Sequence, residues 1–148
     1  MEIVLRGIGV SPGIAIGPAL PFGVRTLDIP WYLVENKEAE WARFEQAVAT
    51  VRGELTRLHE QTMQELGQYH ADIFAAHLLL LDDITIHEEI KSRLDSEGLN
   101  VEFLLDELVG RYSNLLESVE DPRFRERARD LVDVSQRVLE RLLNAEAQ

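Results

Sequence analysis

Histidine is the side chain best suited to acid–base work near neutral pH and to holding metals. The chain has four, His59, His70, His77 and His87. His70 and His77 lie seven residues apart on roughly one face of a helical stretch, and with Asp83 and His87 they invite a metal reading. Their spacing does not reproduce the i, i+4 histidine pair that grips an ion on one helix face. No metal site is therefore expected, and these histidines read first as packing or surface residues. The Ser11-Pro12-Gly13 turn offers a hydroxyl but no base close to it in sequence, so it reads as a structural turn. Gly13 and Gly17 are not followed by Lys-Ser/Thr or by a helix start, so they do not build a phosphate cradle. The absence of cysteine excludes disulfides, thiolate zinc sites and cysteine nucleophiles together.

The elements that carry these residues fall into two regions. The first 33 residues hold Pro12, Pro18, Pro21 and Pro30 and five of the nine glycines, with short β-branched runs between them. This texture predicts strand and turn. Residues 34–148 are helical in composition, interrupted only by Pro122. Trp41, Phe44, Val48, Val51, Leu55 and Leu58 step by three and four, predicting a long amphipathic helix over residues 36–66 with Gly67 as its stop. A second helical stretch covers 68–81 and carries Ile73, Phe74, His77, Leu80 and Leu81. Asp82-Asp83 is set to cap a short continuation through Ile84, Ile86, Ile90 and Leu94. Asn100 is expected to cap a third helix, with Leu104, Leu105, Leu108, Tyr112, Leu115 and Leu116 on its apolar face. Asp121-Pro122 starts the fourth, lined by Phe124, Ala128, Leu131, Val138 and Leu142. The expected fold is mainly α, an antiparallel four-helix bundle or paired helical hairpins behind a short N-terminal β segment.

Composition narrows the function classes. The chain is 148 residues long, room for one domain or one domain with a small appendage. The apolar run over residues 75–81 is broken by His77 and falls far short of the roughly 20 residues a membrane span needs. No basic-then-apolar leader opens the sequence, so a cytoplasmic location is expected. With 27 acidic against 15 basic residues the net charge is −12. That argues against nucleic acid, whose binding rests on cations meeting phosphates, and suits a partner with a basic face.

Three blocks carry a family resemblance. The opening Gly7-Ile8-Gly9-Val10-Ser11-Pro12-Gly13-Ile14-Ala15-Ile16-Gly17 resembles the start of enzyme I, the phosphoenolpyruvate-protein phosphotransferases of bacterial sugar uptake. Ile73-Phe74-Ala75-Ala76-His77 followed by Leu78-Leu79-Leu80-Leu81-Asp82 is similar to that family's Ile-Phe-x-x-His-x-x-Leu-Leu-x-Asp segment. Arg125-Glu126-Arg127-Ala128-Arg129-Asp130, with Asp133-Val134 and Arg137-Val138-Leu139, is similar to a third family segment. The resemblance implies that the helical region docks the small phosphocarrier HPr and is inserted into an α/β subdomain whose first strand comes from residues 1–33. It also implies that the phosphoryl-accepting histidine, in a Gly-Gly-x-Thr-Ser-His segment, and the magnesium-binding barrel come later in the family's sequence. None of the four histidines here has that neighbourhood, so no catalytic residue is expected in this chain, and it should be inactive alone. A stand-alone, non-catalytic helical adaptor and the nitrogen-related enzyme I branch stay open as alternatives.

For the partner-binding face the expected residues are Phe74, His77, Leu79, Leu80, Ile84 and Arg127. One argument for that face is independent of the family. Leu78-Leu79-Leu80-Leu81 points to all sides of a helix, so at least one should stay exposed unless a partner covers it. The resemblance also marks departures. Family acidic positions that face the carrier align with Ile84 and Thr85, another aligns with Gln68, Val132 replaces a basic one, and Arg127 keeps one. The opening strand has no sheet partners within the chain. It is expected to be disordered, to pack loosely on the helices, or to pair in a homodimer, for which exchange of helix hairpins is a second route.

Overall fold

The structure, a computed structural model, describes residues 4, 6–9, 12–18 and 27–146. Five helices follow one another: α1 (Lys37–Leu66), α2 (Gln68–Leu81), α3 (Ile84–Glu97), α4 (Val101–Glu117) and α5 (Pro122–Glu146). The expected four become five because the chain is extended at Asp83, so the continuation after α2 is a separate helix. Asp83 then caps it, its Oδ1 accepting the Thr85 and Ile86 N–H groups at 2.9 and 3.4 Å. α1 opens as its sequence suggests, with Asn36 Oδ1 accepting the Ala39 N–H at 3.0 Å.

Polar links set the helix directions. Arg52 of α1 pairs with Asp82 at the end of α2, so the two form an antiparallel hairpin about Gly67. Glu89 pairs with Arg111, and Arg93 with Glu107 at 2.9 Å, running α3 antiparallel to α4. α5 folds back on α4, packs against α1 and α2, and closes the core. The arrangement is mainly helical, and its hairpins share one core built on Phe44, Val51, Leu55, Leu104, Leu108 and Leu142. Among the apolar positions read from periodicity, Ile73, Leu115 and Phe124 instead lie exposed. Ile73 and Leu115 are each followed by a neighbour (Phe74, Leu116) that takes the inward place, and Phe124 stands in the exposed first turns of α5, one turn before buried Ala128.

Gly67 is where this geometry depends on a residue type. It joins α1 to α2 without a linker at φ 86°, ψ 178°, and its N–H bonds back to Thr62 and Met63. Residues that carry a side chain are strained in that region. Gly67→Ala is expected to lower stability by about 1–3 kcal/mol, seen as an earlier urea midpoint with an unchanged slope. An unchanged midpoint would mean that the hairpin relaxes to another turn.

A second local expectation needs correction. Asn100 occupies the N-cap position of α4, but its side chain makes no cap bond. It is drawn instead to the leading segment, accepting the Tyr32 N–H and donating to the Pro30 carbonyl, both at 3.0 Å. The neighbouring Val101 N–H, one of the first-turn donors of α4, is taken by Glu40 Oε1 at 2.9 Å. Val34 N–H to Gly98 O at 2.8 Å and an isolated antiparallel bridge between Leu33 and Leu99 complete the strap. No strand forms among the described residues. Much of the expected N-terminal β segment falls on residues outside the description; of those inside it, Ile14 and Ile16 are 97% and 99% exposed, so they do not pack on the helices.

Candidate docking face

The four-leucine run resolves as helix geometry demands. Leu80 and Leu81 face the core, Leu78 is half-buried, and Leu79 stands 71% exposed. Five residues on, past the Asp82-Asp83 corner, Ile84 is 70% exposed at the start of α3. Beside them opens a groove of about 270 Å³ between α2, α3, α4 and α5, floored by Leu80, Ile86, Leu116 and Leu131 and edged by Asp83, Thr85, Tyr112 and Arg127.

Of the residues expected at the binding face, Leu79, Ile84 and Arg127 are exposed, and Leu80 and Arg127 line one groove. Phe74 is half-buried, its ring edge-on to His77 at 6.3 Å. His77 and Leu80 are both buried, with His77 5% exposed: His77 lies beneath the face, and Leu80 reaches it only as part of the groove floor. The reason is helical: 77, 80 and 81 fall on the side of α2 that meets α1 and α5. The His77 Nε2–H donates to Asp130 Oδ1 of α5 at 3.2 Å, and its Nδ1 has no partner among the described residues. Asp130, three residues past Arg127, is therefore the support that fixes α2 against α5. It stands in the Arg-Glu-Arg-Ala-x-Asp block, the one sequence signal that could have singled it out. Ile86, Tyr112 and Leu116 were legible only as core positions, since periodicity does not separate a core residue from a groove wall.

The other histidines have local duties. His70 Nδ1 lies 3.2 Å from the Leu66 carbonyl, one turn back. His87 Nε2–H donates to the Leu81 carbonyl at 2.7 Å, satisfying an end of α2, with its ring against Phe44. The imagined set of His70, His77, Asp83 and His87 is not brought together. A different set is: His77, Asp130 and Asp133 place donor atoms within 4.8 Å of one another. It does not suit magnesium, which prefers an octahedral oxygen shell, and its two inner donors are already joined by a hydrogen bond. We assign no metal there. No helix of the described residues is long and apolar enough to cross a membrane.

Residues 6–127 match the family described as PEP-utilising enzyme, N-terminal. The chain belongs to that family. Within it, the phosphoenolpyruvate-protein phosphotransferase of Bacillus subtilis is 38% identical over 142 residues, covering 96% of this chain and 25% of that protein. Its counterpart in Mycoplasma capricolum is 32% identical over 146 residues, covering 99% and 26%. The chain thus spans about a quarter of the length of these relatives. A solution structure of an enzyme I protein superposes with a TM-score of 0.75 at 29% identity, over 81% of this chain and 49% of that one. The N-terminal domain of a nitrogen enzyme I shares the fold, with a TM-score of 0.73 at 23% identity over 84% and 53%. The PEP-utilising N-terminal match embraces both the Phe74–Asp82 segment and Arg127, the two sides of the groove.

Proposed function

We propose that this chain is the carrier-docking front section of a phosphoenolpyruvate-protein phosphotransferase. On this reading Leu79, Ile84, Arg127 and the exposed edge of Phe74 receive the phosphocarrier HPr, while His77 and Leu80 support them from below. The observation that carries the reading is the pair of large aliphatic side chains left in water at the α2–α3 corner, beside an apolar groove. Monomeric proteins seldom leave such a patch contiguous unless a partner covers it. The relatives bear the transferase name, the chain covers about a quarter of their length, and the family model it matches is an N-terminal one; the phosphoryl chemistry belongs on this reading to the rest of such a protein. Magnesium, if the whole protein uses it, belongs there too. Residues 1–33 would serve as the leading strand of a neighbouring α/β subdomain, strapped to the helices through Asn100.

Titrating the ¹⁵N-labelled chain with HPr tests the reading. Amide shifts are expected to concentrate in residues 73–86 and around Arg127, saturating at one carrier per chain. If HPr perturbs nothing in those residues, the face is wrongly assigned. A parallel titration with the nitrogen-system carrier decides the branch, and radiolabel from phosphoenolpyruvate is expected to stay off this chain.

A further inference from the structure

We propose that this face holds its carrier by apolar contact, with Ile84 and Thr85 as the residues that set the preference, and that the partner presents an apolar side chain flanked by an acidic group. The proposal rests on the docking reading above and names the partner's chemistry. A net charge of −12 suggests a face made to attract cations, but three carboxylates of this corner, those of Asp82, Asp83 and Glu89, are already engaged within the chain. Asp82 is paired with Arg52. The Asp83 carboxylate caps α3 through the Thr85 and Ile86 N–H groups. Glu89 is held by Arg111 and by the Tyr112 hydroxyl at 2.9 Å. Those bonds overcome the opposing effect of burial and keep Glu89 below the ordinary carboxylate range. Glu88, one turn along α3 from Ile84, shares a separate surface dip with Lys91.

What the corner offers a partner is therefore Leu79, Ile84, the Thr85 hydroxyl and the groove. Its one cation is Arg127, which is exposed and has no ion-pair partner among the described residues. A basic surface pressed here would meet aliphatic carbon and a like charge. An apolar knob would fill the groove, and a carboxylate beside it would meet Arg127. Apolar contact acts on the dissociation rate, whereas the long-range field of the chain acts on the association rate and is screened by salt.

The two rates separate these contributions. HPr binding to the full chain is followed by stopped flow at about 0.05 M and about 0.5 M NaCl, a change that shortens the screening length several-fold. The dissociation rate is expected to change by less than about twofold across that range while the association rate falls. The Ile84→Glu/Thr85→Glu variant alters two exposed side chains and should keep the parent's melting temperature. It is expected to release the carrier about tenfold faster, with a rate that now depends on salt. A parent dissociation rate that rises tenfold or more with salt overturns the proposal and leaves docking intact, as does a double variant that holds the carrier as well as or better than the parent. Absence of any binding refutes the docking reading itself. If the face then proves to join two copies, with light scattering showing a dimer that Ile84→Glu abolishes, the stated partner is wrong as well.

Discussion

Glu102→Ala is expected to lower the stability of the fold by about 3 kcal/mol, near the lower end of the 3–5 kcal/mol typical of breaking a buried ion pair. Glu102 is fully buried in the first turn of α4. One carboxylate oxygen lies 2.5 Å from Arg43 Nη1, and the other accepts the Asn100 amide at 3.0 Å. Burial opposes the charge on Arg43, but hydrogen bonds to Glu102 and Glu40 outweigh it and hold the guanidinium above its ordinary value. Truncation takes from Arg43 one of its two carboxylate partners, strips the Asn100 amide of an acceptor and opens a cavity. Arg43 is 23% exposed and Glu40 remains 2.7 Å away, which places the loss at the low end. Against a typical total of about 5–15 kcal/mol the change is large. It should appear as a shifted urea midpoint at constant slope. Replacing all three charges together, as Glu40→Gln/Arg43→Met/Glu102→Leu, is expected to cost less than Glu102→Ala, because Glu40 is also buried and paired with Arg43 and no charge is then left buried without its partner. A midpoint that Glu102→Ala does not move would show that water replaces the carboxylate at no cost.

The network joins residues some sixty positions apart, Arg43 to Glu102 and Glu40 to Val101, which no local pattern announces. Helix α1 was legible end to end: Asn36, the Trp41–Leu58 periodicity and Gly67 are all local signals, and the structure uses each of them at its place. Asp83 was legible as a cap for the same reason. Asn100 was not, because its side chain is taken by Tyr32, sixty-eight residues away, and no local pattern announces that competition. The exposure of one leucine in the run from 78 to 81 followed from helix geometry alone. Which leucine, and that His77 turns inward, depended on where α1 and α5 lie. Asp130 takes its role only from the packing of α5 against α2, where it meets His77. The groove was invisible for a related reason: its walls come from four helices, and in each helix taken alone the wall residues carry the same signal as the core.

Leu79→Asp is expected to weaken HPr binding about 100-fold, a loss of roughly 2.7 kcal/mol that lies within the range of interface hot spots, while leaving the fold nearly untouched. The side chain is mostly in water in the free chain, and exposed substitutions of this kind usually change stability by no more than about 0.5 kcal/mol. On the docking reading the same position is covered in the complex, and the introduced carboxylate must then either lose its hydration or hold the partner off. Leu80→Asp makes the contrast sharp: one residue along, it buries a charge among Leu131 and Ile86 and should cost folding before docking can be measured. Leu66→Asp supplies the other control, since Leu66 is also exposed but stands at the far end of α2 from this corner. Calorimetric titration and thermal melts on the three variants separate the effects. The docking face is supported if Leu79→Asp alone loses the carrier with an intact melt. Equal binding by the Leu79→Asp and Leu66→Asp chains would instead move the interface away from the α2–α3 corner.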